Sequence, residues 1–219
     1  MLVEAERSRP VETQTFLNLL RLGCIPNTRR ALMLIPHVGR ILDAGCGSGR
    51  DAKAFLEAGY AVKAFDASPA MVRLASQFTS LPVQCMTFSD MTWVQRFDGI
   101  WASASLLHVP RADLPRVAER FRRALKPEGV CFVSFKHGTK EREKDGRHFT
   151  DMTDTVLQAV VSTIPGLSTM EVWVSEDVRA DRQGEQWLNA CFIAVLELAR
   201  SHPVRAGQQP ARPAADALQ

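Results

Sequence analysis

The chain has 219 residues, 46% of them hydrophobic, enough for one well-buried domain and too few for two of ordinary size. Of its formal charge of +3, +2 belongs to the last twenty residues, where Arg200, Arg205 and Arg212 face only Asp216, so the body is near neutral and shows no basic stripe of the kind a nucleic acid requires. The 5 cysteines form no Cys-x-x-Cys pair, no stretch is apolar enough to span a bilayer, and the charged N-terminus does not read as a signal peptide. We therefore expect a cytoplasmic protein with reduced thiols, no metal and no membrane contact.

In chain order, Thr13 to Leu22 and Asn27 to Ile35 read as two helices, making residues 1–37 an N-terminal helical cap. The next stretch, Arg40-Ile-Leu-Asp-Ala-Gly-Cys-Gly-Ser-Gly-Arg50, is an apolar strand running into a carboxylate and three alternate glycines. Glycines at 45, 47 and 49 let the backbone curl tightly and approach a ligand, because no Cβ blocks positive φ. Asp43 stands at the strand's carboxyl end, where an open α/β sheet binds cofactors at its switch point. Spacing narrows the ligand: counting from Gly45, Arg50 stands where the dinucleotide fingerprint needs its third glycine, and no Gly-Lys-Ser/Thr follows as in a P-loop. A helix with Ala52, Phe55 and Leu56 on one face follows, ended by Gly59.

Ala61 to Asp66 is a second apolar strand ending in an acid, with Ser68 as N-cap and Pro69 at the first position of the next helix. Pro82 to Asp90 reads as strand three, and Phe97 to Ser105 as strand four, leading into Leu106-Leu-His-Val-Pro110. Leu114, Val117, Ala118, Phe121 and Leu125 repeat at helical spacing until Lys126-Pro-Glu-Gly129, and Gly129 to Phe135 is strand five. Lys140 to Arg147 mixes signs and reads as a solvated loop or, alternatively, as a mobile lid. Met152, Val156, Leu157, Val160, Val161 and Ile164 form another amphipathic helix, capped by Thr150 or Asp151. Two strands follow, around Thr169 to Ser175 and Gln186 to Leu196. The main domain is thus residues 38–200; the tail 201–219, rich in Pro, Ala, Gln and Arg, has too little apolar content to pack and is expected to be disordered.

The turn Asp-x-Gly-x-Gly-x-Gly, followed in order by these acids and strands, resembles the class I S-adenosylmethionine (SAM)-dependent methyltransferases over roughly residues 38 to 196. Gly-Ser-Gly-Arg-Asp, Phe-Asp-Gly-Ile-Trp, Ser-Leu-Leu-His-Val-Pro and Trp-Leu-Asn are similar to recurrent words of its small stand-alone tellurite-resistance-type group. The resemblance implies an α/β fold with a seven-stranded, mainly parallel, doubly wound sheet and a C-terminal antiparallel hairpin, and SAM as cofactor. It also implies that Asp43, Ala44, Gly45 and Gly47 surround the methionine part, that Asp66, with Ala67 and Met71 beside it, accepts the ribose hydroxyls, and that Asp90 and Met91 contact adenine. Ser103 lies in the family's motif IV region, beside the transferred methyl group.

That region lacks the Asp/Asn-Pro-Pro-aromatic and Pro-Cys motifs of DNA base methyltransferases, which disfavours base methylation. His108 is the candidate general base, since an imidazole can take a proton near neutral pH; alternatively it packs or caps the turn. Ser105, His137, Phe149, Arg179, Arg182 and Trp187 are candidate acceptor-binding residues. Arg179 and Arg182 beside tryptophans suit an anionic acceptor, or else pair with neighbouring Glu176, Asp177 and Asp181. The expected activity is methyl transfer to a small anionic acceptor by a monomer or homodimer. Methylation of RNA or protein, a SAM-binding protein without catalysis, and a nicotinamide-dependent dehydrogenase are the alternatives.

Overall fold

The computed structural model describes residue 35, residues 39–177, residues 179 and 182, and residues 184–195. The helices expected before Ile35 and the tail expected to be disordered lie outside the described residues. The strands are β1 (Arg40–Ala44), β2 (Ala61–Asp66), β3 (Gln84–Cys85), β4 (Phe97–Ala102), β5 (Leu125–Lys136), β6 (Glu141–Lys144), β7 (Arg147–Thr150), β8 (Leu167–Glu176) and β9 (Gln186–Ala194). The helices are α1 (Arg50–Glu57), α2 (Pro69–Thr79), α3 (Leu114–Ala124) and α4 (Asp154–Ser162). One seven-stranded sheet runs in the order β3-β2-β1-β4-β5-β9-β8, while β6 and β7 form a separate two-stranded hairpin. The first five strands pair in parallel and β9 runs antiparallel between β5 and β8, as expected.

Period-two alternation sorts the core into two layers. Leu42 and Ala44 of β1, Ile100 and Ala102 of β4, and Cys131 and Val133 of β5 join the larger cluster, with Leu114, Val117 and Phe121 of α3 and Leu157 and Val161 of α4. Ile41, Trp101 and Phe132 on the other face pack with Phe55 of α1. Truncating Phe121, 2% exposed, is expected to cost about 3–5 kcal/mol. Ile35 is seated against Gly99, where an added Cβ would come within 2.3 Å of its Cδ1.

Strand four ends at Ala102 instead of Ser105, and strand five begins at Leu125 instead of Gly129, so Lys126 to Gly129 lies within it; three further segments also differ from the sequence reading. Strand three is only Gln84–Cys85, because Thr87 and Asp90 close a capping box on a 3-10 turn, Phe88–Asp90, and take the chain out of the sheet. The N-cap of α4 is Thr153, whose hydroxyl accepts from Val156 N, and Met152 before it is fully buried. Lys140 to Arg147 is no irregular loop. Asp145 and Gly146, at φ 53° and 68°, turn β6 into β7, the backbone that an Asp-Gly hairpin turn requires.

Candidate functional site: a cofactor turn and an acceptor cleft

The strand order reverses on either side of β1, so the chain leaving β1 crosses the carboxyl end of the sheet at its switch point. It does so through Gly45, Gly47 and Gly49, at φ 79°, 55° and 86°. Gly45 is also sterically required, since a Cβ there would lie 2.5 Å from the Cβ of Ser105. Ser105 is buried and donates its hydroxyl to the Ala44 carbonyl at 2.7 Å. Ser105 was expected to bind the acceptor; it braces the glycine turn instead, with its hydroxyl committed to the backbone.

The Gly45 and Cys46 N–H groups both donate to the Phe65 carbonyl at 2.9 Å. Asp66, at the end of β2, accepts from Gly47 N through Oδ2 at 2.9 Å and from Ser68 N through Oδ1 at 2.8 Å. It thereby fixes the turns after β1 and β2 against each other, and each oxygen keeps a lone pair for a ligand hydroxyl. Ala67 beside it is exposed, and Met71 in the first turn of α2 is half-buried.

Asp43 is 3% exposed and its Oδ2 has no hydrogen-bond partner. Burial, aided by the neighbouring Asp51 carboxylate, pushes its pKa well above the ordinary carboxylate range. A buried, unsatisfied acceptor beside a glycine turn fits the cationic methionine end of SAM. Asp90 is exposed on its 3-10 turn, where Oδ2 accepts from the Thr87 N–H and hydroxyl, both at 2.8 Å. Those two bonds hold its pKa below the usual value. Met91, expected as a wall for adenine, is placed in the main core at 3% exposure. The Cys46 thiol within the glycine turn is pushed up to about 12 by burial and by Asp43 and Asp66, so it stays protonated and is no nucleophile.

Beside this turn a cleft of about 770 Å³ opens over the carboxyl ends of β4 and β5. Its aromatic floor is Trp101 stacked on Phe132, centroids 4.0 Å apart and planes at 17°. Trp101 is the register partner of Asp43, so the floor starts next to the cofactor turn. Its indole N–H donates to Asp51 Oδ2 at 2.9 Å, and Arg50 Nε donates to the same carboxylate at 2.8 Å. Ser103 and His108 line the cleft.

His108 Nδ1 lies 2.8 Å from the carbonyl oxygen of His148. A carbonyl only accepts, so Nδ1 carries the hydrogen and Nε2 of the neutral ring keeps its lone pair. Phe149 meets the ring edge-on at 4.9 Å. His137, another expected acceptor-binding residue, is not on the cleft wall: strand alternation turns Lys136 inward and leaves His137 exposed, its N–H donating to the Gln186 carbonyl.

Arg179, Arg182 and Trp187 do line the cleft, but among carboxylates. Asp177, with its side chain 3% exposed, accepts from Arg179 Nε at 2.8 Å, from Trp187 Nε1 at 3.0 Å and from Lys136 Nζ at 3.4 Å. The Arg179 contact foremost, with the Trp187 bond, holds its pKa far below the usual range. Lys136 also pairs with Glu185 and stands 4.4 Å over the Trp187 ring, while Arg182 lies 3.9 Å from Glu185. Asn189, 1% exposed, anchors this wall by donating to Ser175 Oγ at 2.9 Å.

Sequence reasoning offered Asp177 as a partner of Arg179, as found, but missed its bonds to Trp187 and Lys136, Asp51 as partner of Trp101, and the whole β6–β7 hairpin. Only the hairpin had a readable signal, Asp145-Gly146 between two alternating segments. Among the described residues, no three His, Cys, Asp or Glu side chains gather as a metal site, and no helix is long and apolar enough to cross a membrane.

Residues 41–129 match the family described as a methyltransferase domain. The fold is similar to that of a SAM-dependent methyltransferase from Methanosarcina mazei, with a TM-score of 0.68 at 16% identity over 79% of this chain and 99% of that one. It is also similar to Burkholderia thailandensis 1,6-didemethyltoxoflavin-N1-methyltransferase, solved with 1,6-didemethyltoxoflavin and S-adenosylhomocysteine bound (TM-score 0.63, 21% identity, 84% of this chain and 88% of that one). A TehB-like SAM-dependent methyltransferase from Corynebacterium glutamicum gives 0.59 at 21% identity, covering 83% and 95%. None of the curated proteins matches the sequence. Fold and glycine turn together define the class I methyltransferase architecture, with its methyltransferase domain in residues 41–129. Residues 41–129 thus carry the likeness of a methyltransferase domain, on a fold shared with SAM-dependent methyltransferases.

Proposed function

We propose that the protein methylates a small, anionic acceptor in the cleft over Trp101 and Phe132. SAM supplies an electrophilic methyl group. Asp43 holds the ammonium of its methionine part, Gly45 and Gly47 let the backbone close around it, and Asp66 and Asp90 meet the ribose and adenine. Ser103, at the end of β4, stands between this turn and the acceptor cleft.

The observation that carries the reading is the cleft itself, which adjoins the cofactor turn, has a flat aromatic floor and is rimmed by more cations than acids. Methyl transfer asks mainly for alignment and exclusion of water, and a walled cleft beside the cofactor turn can supply both. His108 takes the acceptor's proton at Nε2, with its tautomer set by the His148 carbonyl. The near-neutral body argues against a nucleic-acid acceptor, and the 1,6-didemethyltoxoflavin bound to the Burkholderia neighbour is an example of a small molecule served by such a fold. Placement in a reducing cytoplasm rests on the free thiols of Cys46, Cys85 and Cys131.

The test is release of S-adenosylhomocysteine from SAM with three acceptor sets: small aromatic carboxylates and phosphates, neutral analogues of the same rings, and bulk RNA or protein. Turnover confined to the anionic set supports the proposal. Turnover with RNA or protein, or equal rates with the neutral analogues, overturns it.

A further inference from the structure

The β6–β7 hairpin separates its charges by face. In Glu141-Arg-Glu-Lys144 the strand period sends both acids one way and both cations the other, and the register sets Lys144 opposite Arg147 and Arg142 opposite Phe149. The face bearing Arg142, Lys144, Arg147 and Phe149 lines the acceptor cleft, and Glu141, Glu143 and His148 lie outside it. The outer face fastens the hairpin down: Glu141 accepts from Arg111 N at 2.8 Å, and its Oε1 lies 2.9 Å from His148 Nε2.

Most cations of the cleft wall already face a carboxylate. Arg50 has Asp51 at 2.8 Å, Arg142 has Asp151 at 2.7 Å, Arg182 has Glu185 at 3.9 Å, and Lys136 and Arg179 share Asp177. Among the described residues, Lys144 and Arg147 have no carboxylate within ion-pair distance, Asp145 at the turn between them included. Like charges placed directly opposite on paired strands repel each other, and Asp145, the acid in the turn between them, also lines the cleft but pairs with neither. An anion entering the cleft would relieve that repulsion and receive two cationic donors at once.

We infer that Lys144 and Arg147 are the residues that grip the anionic group of the acceptor, a carboxylate or a phosphate, and that Arg179 and Arg182 are wall residues whose charge is spent on Asp177 and Glu185. This rests on the methyltransferase reading above and specifies its substrate class. The same hairpin supplies the His148 carbonyl that orients His108, so the element that binds the acceptor's charge also positions the base.

The test is an amide NMR titration of the full chain, saturated with S-adenosylhomocysteine, against inorganic phosphate and separately against benzoate. Salt-sensitive shifts confined to residues 142–149 are expected with at least one anion, and which one responds tells phosphate from carboxylate. Lys144→Ala and Arg147→Ala should each weaken that response roughly tenfold or more, the loss of one charge-assisted hydrogen bond, with S-adenosylhomocysteine affinity unchanged; Arg182→Ala should leave it intact. No response to either anion, survival of the response in both hairpin variants, or its loss in Arg182→Ala overturns the assignment. Failure of the native chain to bind S-adenosylhomocysteine overturns the methyltransferase reading instead.

Discussion

Replacing Gly45 by alanine tests the link between the glycine turn and the brace beneath it. The new methyl group would have to occupy a position 2.5 Å from Ser105 Cβ, at a φ of +79°. Left-handed backbone costs a non-glycine residue roughly 1–2 kcal/mol, and overpacking adds about 1–3 kcal/mol, for a total of about 2–5 kcal/mol. In a domain of this size each kcal/mol moves Tm by about 2–4 °C, so Gly45→Ala should melt about 4–20 °C below the native chain. Differential scanning calorimetry reads that shift, and a titration with S-adenosylhomocysteine reads the loss of binding. Ser105→Gly removes the obstructing Cβ, so the double variant should be less destabilised than the sum of the two single variants. An unchanged Tm and affinity in Gly45→Ala, or strict additivity in the double variant, would refute the reasoning.

Asp43→Asn removes a carboxylate whose pKa is raised by burial. The folded protein keeps a proton there that the unfolded chain has already released, so native stability falls as pH rises from about 4 through the raised pKa. The unliganded variant should therefore melt above the native chain at neutral pH and equal it below about pH 4, yet bind SAM at least tenfold more weakly, as thermal scans and calorimetry will show. Asp177→Ala should cost about 2–4 kcal/mol in urea unfolding, because it leaves Lys136 and Arg179 without their shared acceptor. The pKa of Asp177 is depressed, so its contribution is present above about pH 4 and is lost as pH falls through the lowered value; acid titration of unfolding checks the sign. His108→Gln should lower kcat by about 10²-fold or more with little change in SAM affinity, provided the acceptor must lose a proton, and steady-state kinetics reads it.

The sequence makes plain those parts of the fold that rest on local chemistry. Asp43 with glycines 45, 47 and 49, Asp66 at the end of a strand, and Ser68-Pro69 opening a helix each declare their geometry through residue type alone. The parts that depend on distant partners are hidden. Nothing near Ser105 says that its hydroxyl reaches back to Ala44, 61 positions earlier, and nothing near His137 says that the alternation set by β9 gives the cleft to Lys136. Thr87 and Asp90 were legible as a capping box, but the apolar residues around them resemble a strand, and only the 3-10 turn shows which preference wins. At Glu141 to Thr150 the alternation was present in the sequence but masked by charge, since a hairpin resting on a cleft needs no apolar face of its own.

The most direct test of the account is calorimetric binding of S-adenosylhomocysteine, with NAD as the competing ligand, to the native chain and to Asp66→Ala. Micromolar binding of the adenosyl ligand alone, weakened by about 1.5–3 kcal/mol for each charge-assisted bond that Asp66 makes to it, is the predicted result. Binding of NAD in its place, or S-adenosylhomocysteine binding that Asp66→Ala leaves untouched, would contradict it.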